Sequence, residues 1–334
     1  MSWRRRVAVG ALAATVSLAG FGCSPDESST ISIGAMPPGT SWYVFAATLA
    51  NLLQESVPQG TRVEVIARGG GIGNPILVDR GQETIAIAQA ATAAWAYSGH
   101  PVAYEGRKHE NIRALAGGLN RVWMAAMLTQ AYIERTGHET LERALLSDGP
   151  LRVVMKPQGS TVPVVAEMLF EAFGTSRAKI LAGGGDIIQV SANQIPTILR
   201  DGRADLYLET AIRGHPTLTE VSTTTAVRFL DYPDAVIRKL IGPGITRTPM
   251  PQWFQGQLGS IDSVDMGTVL ITHKDLSPDL AYLITKTICE NSDAMAAAHR
   301  AWEDFEPEKG GLLAKTGVPL HPGAERYFKE RGWL

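Results

Sequence analysis

The sequence is poor in cysteine, with only Cys23 and Cys289 among its 334 residues. Two cysteines, one of them close to the N-terminus, supply neither a disulfide framework nor a cysteine-based metal site. Cys289 lies within the apolar helical run LAYLITKTICE, so we expect it to be a thiol buried in the protein core.

Motifs of catalytic chemistry are also missing. The sequence contains no HExxH, CxxC, GxSxG or Walker loop, and its seven histidines are scattered without metal-ligand spacing. The run GGGIGN at 69–74 is not followed by the acidic residue that a dinucleotide site requires. The sequence therefore predicts a protein that is not an enzyme and that holds no metal and no cofactor.

Charge of one sign is not concentrated anywhere in the chain. There is no block of basic residues and no acidic tail, and the formal net charge is −2. We therefore expect no nucleic-acid partner and no disordered charged arm. With 45% hydrophobic and 19% charged residues, the composition is that of a globular protein, and the length fits about two domains.

Long apolar runs are absent beyond the N-terminus. No later stretch approaches the roughly 18 apolar residues that a membrane-spanning helix needs, so the mature chain is predicted to have no such helix.

The N-terminal segment has the pattern of a secretory signal. Three arginines at 4–6 precede an apolar stretch at 7–18, and a small residue precedes Cys23. We predict a signal peptide over residues 1–22 and acylation of Cys23. Cleavage by the ordinary signal peptidase stays open, because Gly20 stands where lipoproteins usually have leucine. The chain is expected in the periplasm or on the outer face of the membrane, with a lipid at Cys23 as its only membrane contact.

One strand-and-helix unit occurs twice in the sequence. In the first copy the strand ISIGAM is broken by PPGT, and apolar residues from Trp42 onward have helical spacing. In the second copy LRVVM is followed by KPQGST and an amphipathic helix. Each half then predicts a strand running into three glycines (RVEVIARGGG and AKILAGGG), a helix ending in glycine, and another strand. Two glycine pairs mark this repeat: Gly39 with Gly159, and Gly81 with Gly202.

Strands that alternate with helices predict two α/β lobes with largely parallel sheets. Ligands of open α/β sheets bind beyond the carboxyl ends of the strands, where helix N-termini converge. The two lobes are therefore expected to face each other across a ligand cleft. We place the first lobe at residues 30–122 plus 273–334 and the second at 123–272, with chain crossings near 119–126 and 266–273.

The two helix starts indicate what the cleft binds. The unpaired N–H groups of a helix's first turn attract anions, by roughly 0.3–1 kcal/mol at exposed sites. Several such ends around one dry cleft make a carboxylate site that needs no metal. Thr40 or Ser41 is expected to cap the first helix. Trp42 and Tyr43 are expected to pack against the apolar part of a ligand.

Five segments resemble the TAXI family, the solute receptors of one branch of TRAP transporters. PPGTSWYVFAATLANLL resembles the family's Gly-Gly-Thr-Tyr-Tyr helix start, and RGGGIGNPILVDRGQETIAIAQ resembles its next glycine-rich segment. KPQGST, DGRADLYLETAIRGHP and PLHPGAERYFKERG are similar to its second Gly-Ser loop, its Gly-His-Pro segment and its terminal motif. Together they extend over about residues 31–332.

The resemblance implies a two-lobe periplasmic-binding-protein fold of the α/β class, type II-like, with the ligand cleft between the lobes. It also implies a receptor that captures a small carboxylate, such as a glutamate-like amino acid, and delivers it to the membrane permease subunits of a TRAP transporter. A receptor of the same shape that serves a signalling partner is the alternative. The chain departs from the family pattern at Pro38, at Ser41-Trp42, and at Gly71 and Gly73, where serine and glutamate are usual, so the ligand need not be glutamate.

The candidate ligand-binding residues come from both lobes. Those on the first lobe lie at the first helix start, the glycine-rich turn and the end of the following strand: Gly39, Thr40, Ser41, Trp42, Tyr43, Gly70, Gly71, Asn74 and Gln89. Those on the second lobe are two hydroxyls expected to cap its helix start and to donate to the ligand, two acids for a ligand ammonium, and a histidine: Ser160, Thr161, Asp186, Glu209 and His215.

Each candidate has a structural alternative. The aromatic residues can pack in the core, the glycine-rich turn can be a flexible loop, and Gln89 can make a structural hydrogen bond. The hydroxyls and the acids can cap helices or lie in solvent. For His215, whose backbone Pro216 restricts to an extended conformation, we favour bracing of its loop over ligand contact.

Overall fold

The structure, a computed structural model, describes residues 30–334. The predicted signal peptide over 1–22 and the predicted lipid site at Cys23 lie outside the described residues. Within 30–334 no helix combines the length and the apolar character needed to cross a bilayer. Cys289 is confirmed as a buried core thiol, and burial raises the pKa of that thiol to about 12.

The described residues form strands and helices that largely alternate along the chain. The strands are β1 (Thr30–Gly34), β2 (Arg62–Ile66), β3 (Ile85–Ala88), β4 (Ile112–Gly117), β5 (Trp123–Thr129), β6 (Arg152–Met155), β7 (Asp186–Gln189), β8 (Leu206–Ala211), β9 (Val227–Phe229), β10 (Thr246–Arg247), β11 (Val264–Asp265) and β12 (Val269–His273). The helices are α1 (Ser41–Ser56), α2 (Gly73–Asp79), α3 (Ala90–Ser98), α4 (Pro101–Tyr104), α5 (Gln130–Thr136), α6 (Leu141–Leu145), α7 (Val162–Ala172), α8 (Arg177–Ala182), α9 (Ile195–Arg200), α10 (Pro216–Thr224), α11 (Asp234–Leu240), α12 (Pro278–Glu290), α13 (Ser292–Ala298), α14 (Leu313–Thr316) and α15 (Pro322–Glu330).

The strands build two sheets. The first has the order β2-β1-β3-β12-β4, and the second has the order β10-β11-β5-β8-β6-β7 with β9 paired to β5. In the first sheet β1 pairs in parallel with β2 and β3, and β12 runs antiparallel between β3 and β4. In the second, β6 pairs in parallel with β7 and β8, and β5 runs antiparallel to β8. This confirms the predicted two-lobe α/β architecture. The prediction of largely parallel sheets is wrong, because antiparallel pairs involving β5, β11 and β12 outnumber the parallel pairs within the described residues.

The two sheets contain the same unit. The order β2-β1-β3 in the first corresponds to β7-β6-β8 in the second, each followed by an antiparallel strand. The glycine pairs keep matching backbone: φ is +88° at Gly39 and +89° at Gly159, and +65° at Gly81 and +66° at Gly202. Positive φ is nearly free for glycine and costly for other residues, so these turns need glycine at both copies.

The predicted third correspondence, between the triple glycines, is wrong. AKILA is not a strand: it lies in α8, which Ser176 caps by accepting the backbone N–H of Lys179. The glycines at 183–185 follow that helix and precede β7. In the first lobe the three glycines instead follow a strand and precede α2, so the two runs occupy different places in the unit.

Strand β5 of the second sheet has apolar side chains on both of its faces. On β5, Trp123 and Met127 pack in one core, while Met124 and Leu128 pack in another on the opposite face. The strand is therefore buried on both faces, which fits its nearly continuous apolar sequence.

The chain passes between the sheets twice, after β4 and again after β11. We propose to divide the lobes at these two passages. The second boundary then falls before Val269, because all of β12 belongs to the first sheet. The C-terminal segment lies on the first sheet, where the backbone of Ala114 bonds to Pro319 and His321.

Candidate ligand-binding site

The carboxyl ends of β1 and β6 lead into the two helix starts, and the lobes touch where the second helix start meets the glycine-rich turn and Gln89 of the first lobe. The backbone N–H of Ile72 donates to the carbonyl of Gly159 at 3.3 Å across the gap. A second bond joins the Thr161 hydroxyl to the Gln89 amide oxygen at 2.9 Å. The structure therefore shows the lobes closed on one another.

The first helix start has the predicted cap. The Thr40 hydroxyl accepts the backbone N–H of Tyr43 and donates to the Pro37 carbonyl at 2.8 Å. With the cap supplied by Thr40, the neighbouring Ser41 is left free of that role. Its hydroxyl oxygen is buried and has no hydrogen-bond partner. A buried hydroxyl without a partner costs free energy, which a ligand group beside it would recover.

The second helix start does not cap itself with a side chain, contrary to our expectation for Ser160 and Thr161. Ser160 donates to the Pro157 carbonyl at 2.7 Å, and Thr161 donates across the gap to Gln89. No side-chain capping bond is made at Thr161, whose backbone is already helical. These hydroxyls shape the loop and the lobe contact instead.

The glycine-rich turn of the first lobe makes the close approach possible. A Cβ on Gly70 would lie 2.5 Å from the carbonyl oxygen of Gly159, and one on Gly71 would lie 1.7 Å from the Thr161 hydroxyl. Glycine at 70 and 71 thus lets one lobe press against the other. Asn74 fixes the turn against the first sheet. Its side chain accepts the backbone N–H of Gly70 and donates to the carbonyls of Gly34 and Ile87.

Between the lobes lies an inner chamber of about 30 Å³. That volume holds roughly two water-sized groups. Residues from both lobes line it: Met36, Thr40, Ser41, Trp42, Gln89, Val122, Lys156, Ser160, Thr161, Thr210, Ile212 and His215. Most of these side chains are buried and polar, so the chamber suits a small polar group.

Lys156 lines the chamber as the cation of a buried ion pair, and sequence reasoning missed this residue. The Lys156 ammonium lies 2.8 Å from the Glu209 carboxylate, and both side chains are almost fully buried. An ammonium can donate three hydrogen bonds, and this pair uses one. Lys156 therefore keeps donor capacity beside the chamber.

Glu209 is not the free acid that we predicted for a ligand ammonium. It lies within β8, and its oxygens accept bonds from Lys156, from the Tyr207 hydroxyl at 2.7 Å and from the Thr210 backbone N–H at 2.7 Å. Burial raises the pKa of the Glu209 carboxyl, but Lys156 and these hydrogen bonds outweigh it and leave the pKa below its usual value. The carboxylate is charged and already neutralised.

His215 braces its loop, as we favoured, and also borders the chamber. Its Nδ1 accepts the backbone N–H of Leu218 at 3.3 Å and so caps α10. Burial lowers the pKa of the imidazole to about 4, against the attraction of Glu209. The ring is thus neutral at pH 7 with its proton on Nε2, which leaves a donor rather than a charge.

This pKa predicts a pH dependence of stability that His215→Asn removes. The histidine has a pKa near 6.5 in the unfolded chain and near 4 in the folded protein. Because the unfolded chain binds the proton more tightly, the free energy of unfolding falls as the pH drops from 6.5 to 4. The loss approaches about 3 kcal/mol at pH 4 and is absent above pH 7. Urea unfolding at pH 7 and pH 4.5 measures it. Asparagine keeps a helix cap, and an unchanged pH slope in His215→Asn would contradict the assignment.

A larger outer cleft of about 560 Å³ opens next to the inner chamber. The two compartments share Met36, Thr40, Lys156 and Ser160. Both lobes line the outer cleft as well: its residues are Met36, Pro37, Pro38, Gly39, Thr40, Arg68, Gly69, Gly73, Ile76, Leu77, Lys156, Pro157, Gln158, Gly159, Ser160, Ser191, Ala192 and Asn193. Its size is ordinary for a small-molecule site.

Our candidates are thus only partly brought together. Thr40, Ser41, Trp42, Gln89, Ser160, Thr161 and His215 border the inner chamber, and Gly39 borders the outer cleft. Gly70 and Gly71 form the lobe contact, and Asn74 supports it. Ligand contact by any of them stays a prediction.

Two candidates lie away from both compartments. Asp186 begins β7 and lies next to Arg152 in the register of the parallel strands β6 and β7. This is the end of the strands away from the loop that carries Lys156. The Asp186 carboxylate accepts the N–H of Ile187 next to it in sequence. Tyr43 lies on α1 outside both linings. We leave these two out of the proposed site.

The two sheets and the two chain passages between them define the predicted two-lobe fold of the periplasmic-binding-protein type, type II-like. The chain belongs to the NMT1-like family, whose model matches residues 33–332.

Solved structures similar to the chain include the periplasmic aliphatic sulphonate binding protein SsuA from Escherichia coli, with 12% identity, a TM-score of 0.47, and 90% of this chain and 83% of that chain covered. Another is the amino acid ABC transporter substrate-binding protein AbpA from Streptococcus pneumoniae bound to L-arginine, with 11% identity, a TM-score of 0.49, and 82% and 93% covered. The finer likeness to TAXI receptors rests on the sequence segments alone.

Proposed function

We propose that this protein is an extracytoplasmic receptor that captures a small carboxylate between its lobes and hands it unaltered to a membrane permease. The observation that supports this most is the inner chamber. It places the unpartnered Ser41 hydroxyl of one lobe and the buried Lys156 ammonium of the other on one space that both lobes line.

The charges favour an acid as the ligand. Lys156 retains donor capacity, while Glu209 has its own partners and His215 supplies a neutral donor. A carboxylate entering the chamber would find donors and no unpaired negative charge. It would then bridge the lobes and favour the closed state in proportion to its preference for that state.

The partner we propose is the permease of a TRAP-type transporter. Support comes from the TAXI-like segments over about 31–332 and from the signal-like N-terminus. Such a signal would place the receptor outside the cytoplasmic membrane, with Cys23 as its lipid anchor. The residue type at 71 and 73 differs from the family pattern, so the carboxylate need not be glutamate.

Two variants test the acid site in the full chain. Glu209→Gln keeps Lys156 and removes its competitor, so binding of carboxylates, measured by calorimetry, is expected to be retained or tightened. Lys156→Met combined with Glu209→Gln leaves a neutral chamber and should weaken the same acids at least about tenfold, the loss of a charge-assisted hydrogen bond. If no acid raises the melting temperature, or if the two variants bind acids equally, the proposal fails.

A further inference from the structure

We propose that the solute is a monocarboxylate with an apolar aliphatic or aromatic tail, whose head lies at Lys156 and whose tail occupies the outer cleft. This inference rests on the proposed function and names the class of ligand. The observations that support it are the volumes, the lining residues and the charges of the two compartments.

The sizes separate the head from the tail. The inner chamber of about 30 Å³ has room for a carboxylate and little more. The outer cleft is roughly twentyfold larger at about 560 Å³ and shares the lining residues Thr40, Lys156 and Ser160 with the chamber. An acid with its carboxylate inside must therefore extend into the outer cleft.

The lining of the outer cleft is apolar where the tail would lie. Met36, Pro37 and Pro38 form one side, and Ile76 and Leu77 of α2 form another. Pro157 contributes from the second lobe. These side chains belong to both lobes, so an apolar tail would gain contact area on each when the lobes close.

The charges of the outer cleft disfavour a second charged group on the ligand. Arg68 and Lys156 are the only charged residues in its described lining, and both have partners. The Arg68 guanidinium lies 2.7 Å from the buried Glu83 carboxylate, and Lys156 is paired with Glu209. A ligand ammonium finds no unpaired acid here, and the Arg68 side chain is 56% exposed, so a second carboxylate beside it would gain little over its hydration in water.

A homologous series tests the tail in the full chain. Calorimetry with propanoate, pentanoate and heptanoate is expected to show affinity rising about threefold with each added methylene until the cleft is filled. Succinate and glutamate are expected to bind at least about tenfold more weakly than heptanoate or 3-phenylpropanoate. Leu77→Gln should flatten the rise with chain length, so that heptanoate loses more affinity than propanoate.

The same change at an exposed leucine outside the cleft, Leu181→Gln, should leave the whole series as it is. Glutamate or succinate binding as tightly as heptanoate would overturn this inference and leave the proposed receptor function intact. A chain-length dependence that survives Leu77→Gln would also overturn it. Failure of every acid to bind would instead overturn the proposed function itself.

Discussion

Gly70→Ala is expected to keep the lobes apart and to lower ligand affinity about thirtyfold. The added Cβ would lie 2.5 Å from the carbonyl oxygen of Gly159, which is backbone and cannot rotate away. Relief of that contact requires the lobes to separate, which weakens the bonds between Ile72 and Gly159 and between Thr161 and Gln89. Two hydrogen bonds at about 1 kcal/mol each correspond to that loss.

Gly73→Ala is the matched control for this substitution. Gly73 belongs to the same turn, a Cβ there meets no atom within 4 Å, and it stands at the start of α2, where alanine is well tolerated. Small-angle scattering should show a more open average shape for Gly70→Ala only. Gly73 lines the outer cleft but not the inner chamber, so calorimetry with propanoate, whose short tail stays near the chamber, should show weaker binding for Gly70→Ala only. Equal affinities for the two variants would contradict the assigned lobe contact.

Lys156→Met is expected to destabilise the protein by about 3–5 kcal/mol. The substitution leaves the Glu209 carboxylate buried with no opposite charge, and the cost of an unpaired buried charge is of this size. Urea unfolding at pH 7 should show a lower midpoint with a similar slope.

Adding Glu209→Gln to Lys156→Met should recover most of the lost stability. Glutamine fills a similar volume, can still accept from Tyr207 and carries no charge to neutralise. A double variant as unstable as Lys156→Met alone would show that packing of the lysine stem, rather than its charge, stabilises this wall of the chamber.

The elements next to the site could be predicted because their signals are local. The Pro-Gly turn, the threonine cap at Thr40 and the helical spacing from Trp42 lie within a few residues of one another, and the structure confirms them. The repeat was also correct at Gly39 and Gly159, since positive φ demands glycine in both copies.

The misreading of AKILA had a local cause. A five-residue apolar run fits a strand or a helix by periodicity alone. The deciding signal was Ser176, a capping residue just before the run, which accepts the N–H of Lys179 and starts α8. Attention to that cap would have separated the two glycine runs.

The remaining features of the site depend on contacts between distant parts of the chain. Lys156 was overlooked because lysine is usually solvated, and only the neighbouring strand β8 shows that Glu209 neutralises it. The contact between the lobes depends on how closely Gly70 and Gly71 approach Gly159 and Thr161. The periodicity of the sequence does not predict a distance between residues that lie far apart along the chain.

Native mass spectrometry of the full chain, purified without denaturation from cells that make it, tests the central claim most directly. The account predicts one small acid bound per chain, present in the wild type and in Gly73→Ala and depleted in Gly70→Ala. A chain that carries no small molecule and takes up none of the added monocarboxylates, or one that carries a solute without an acidic group, would contradict it.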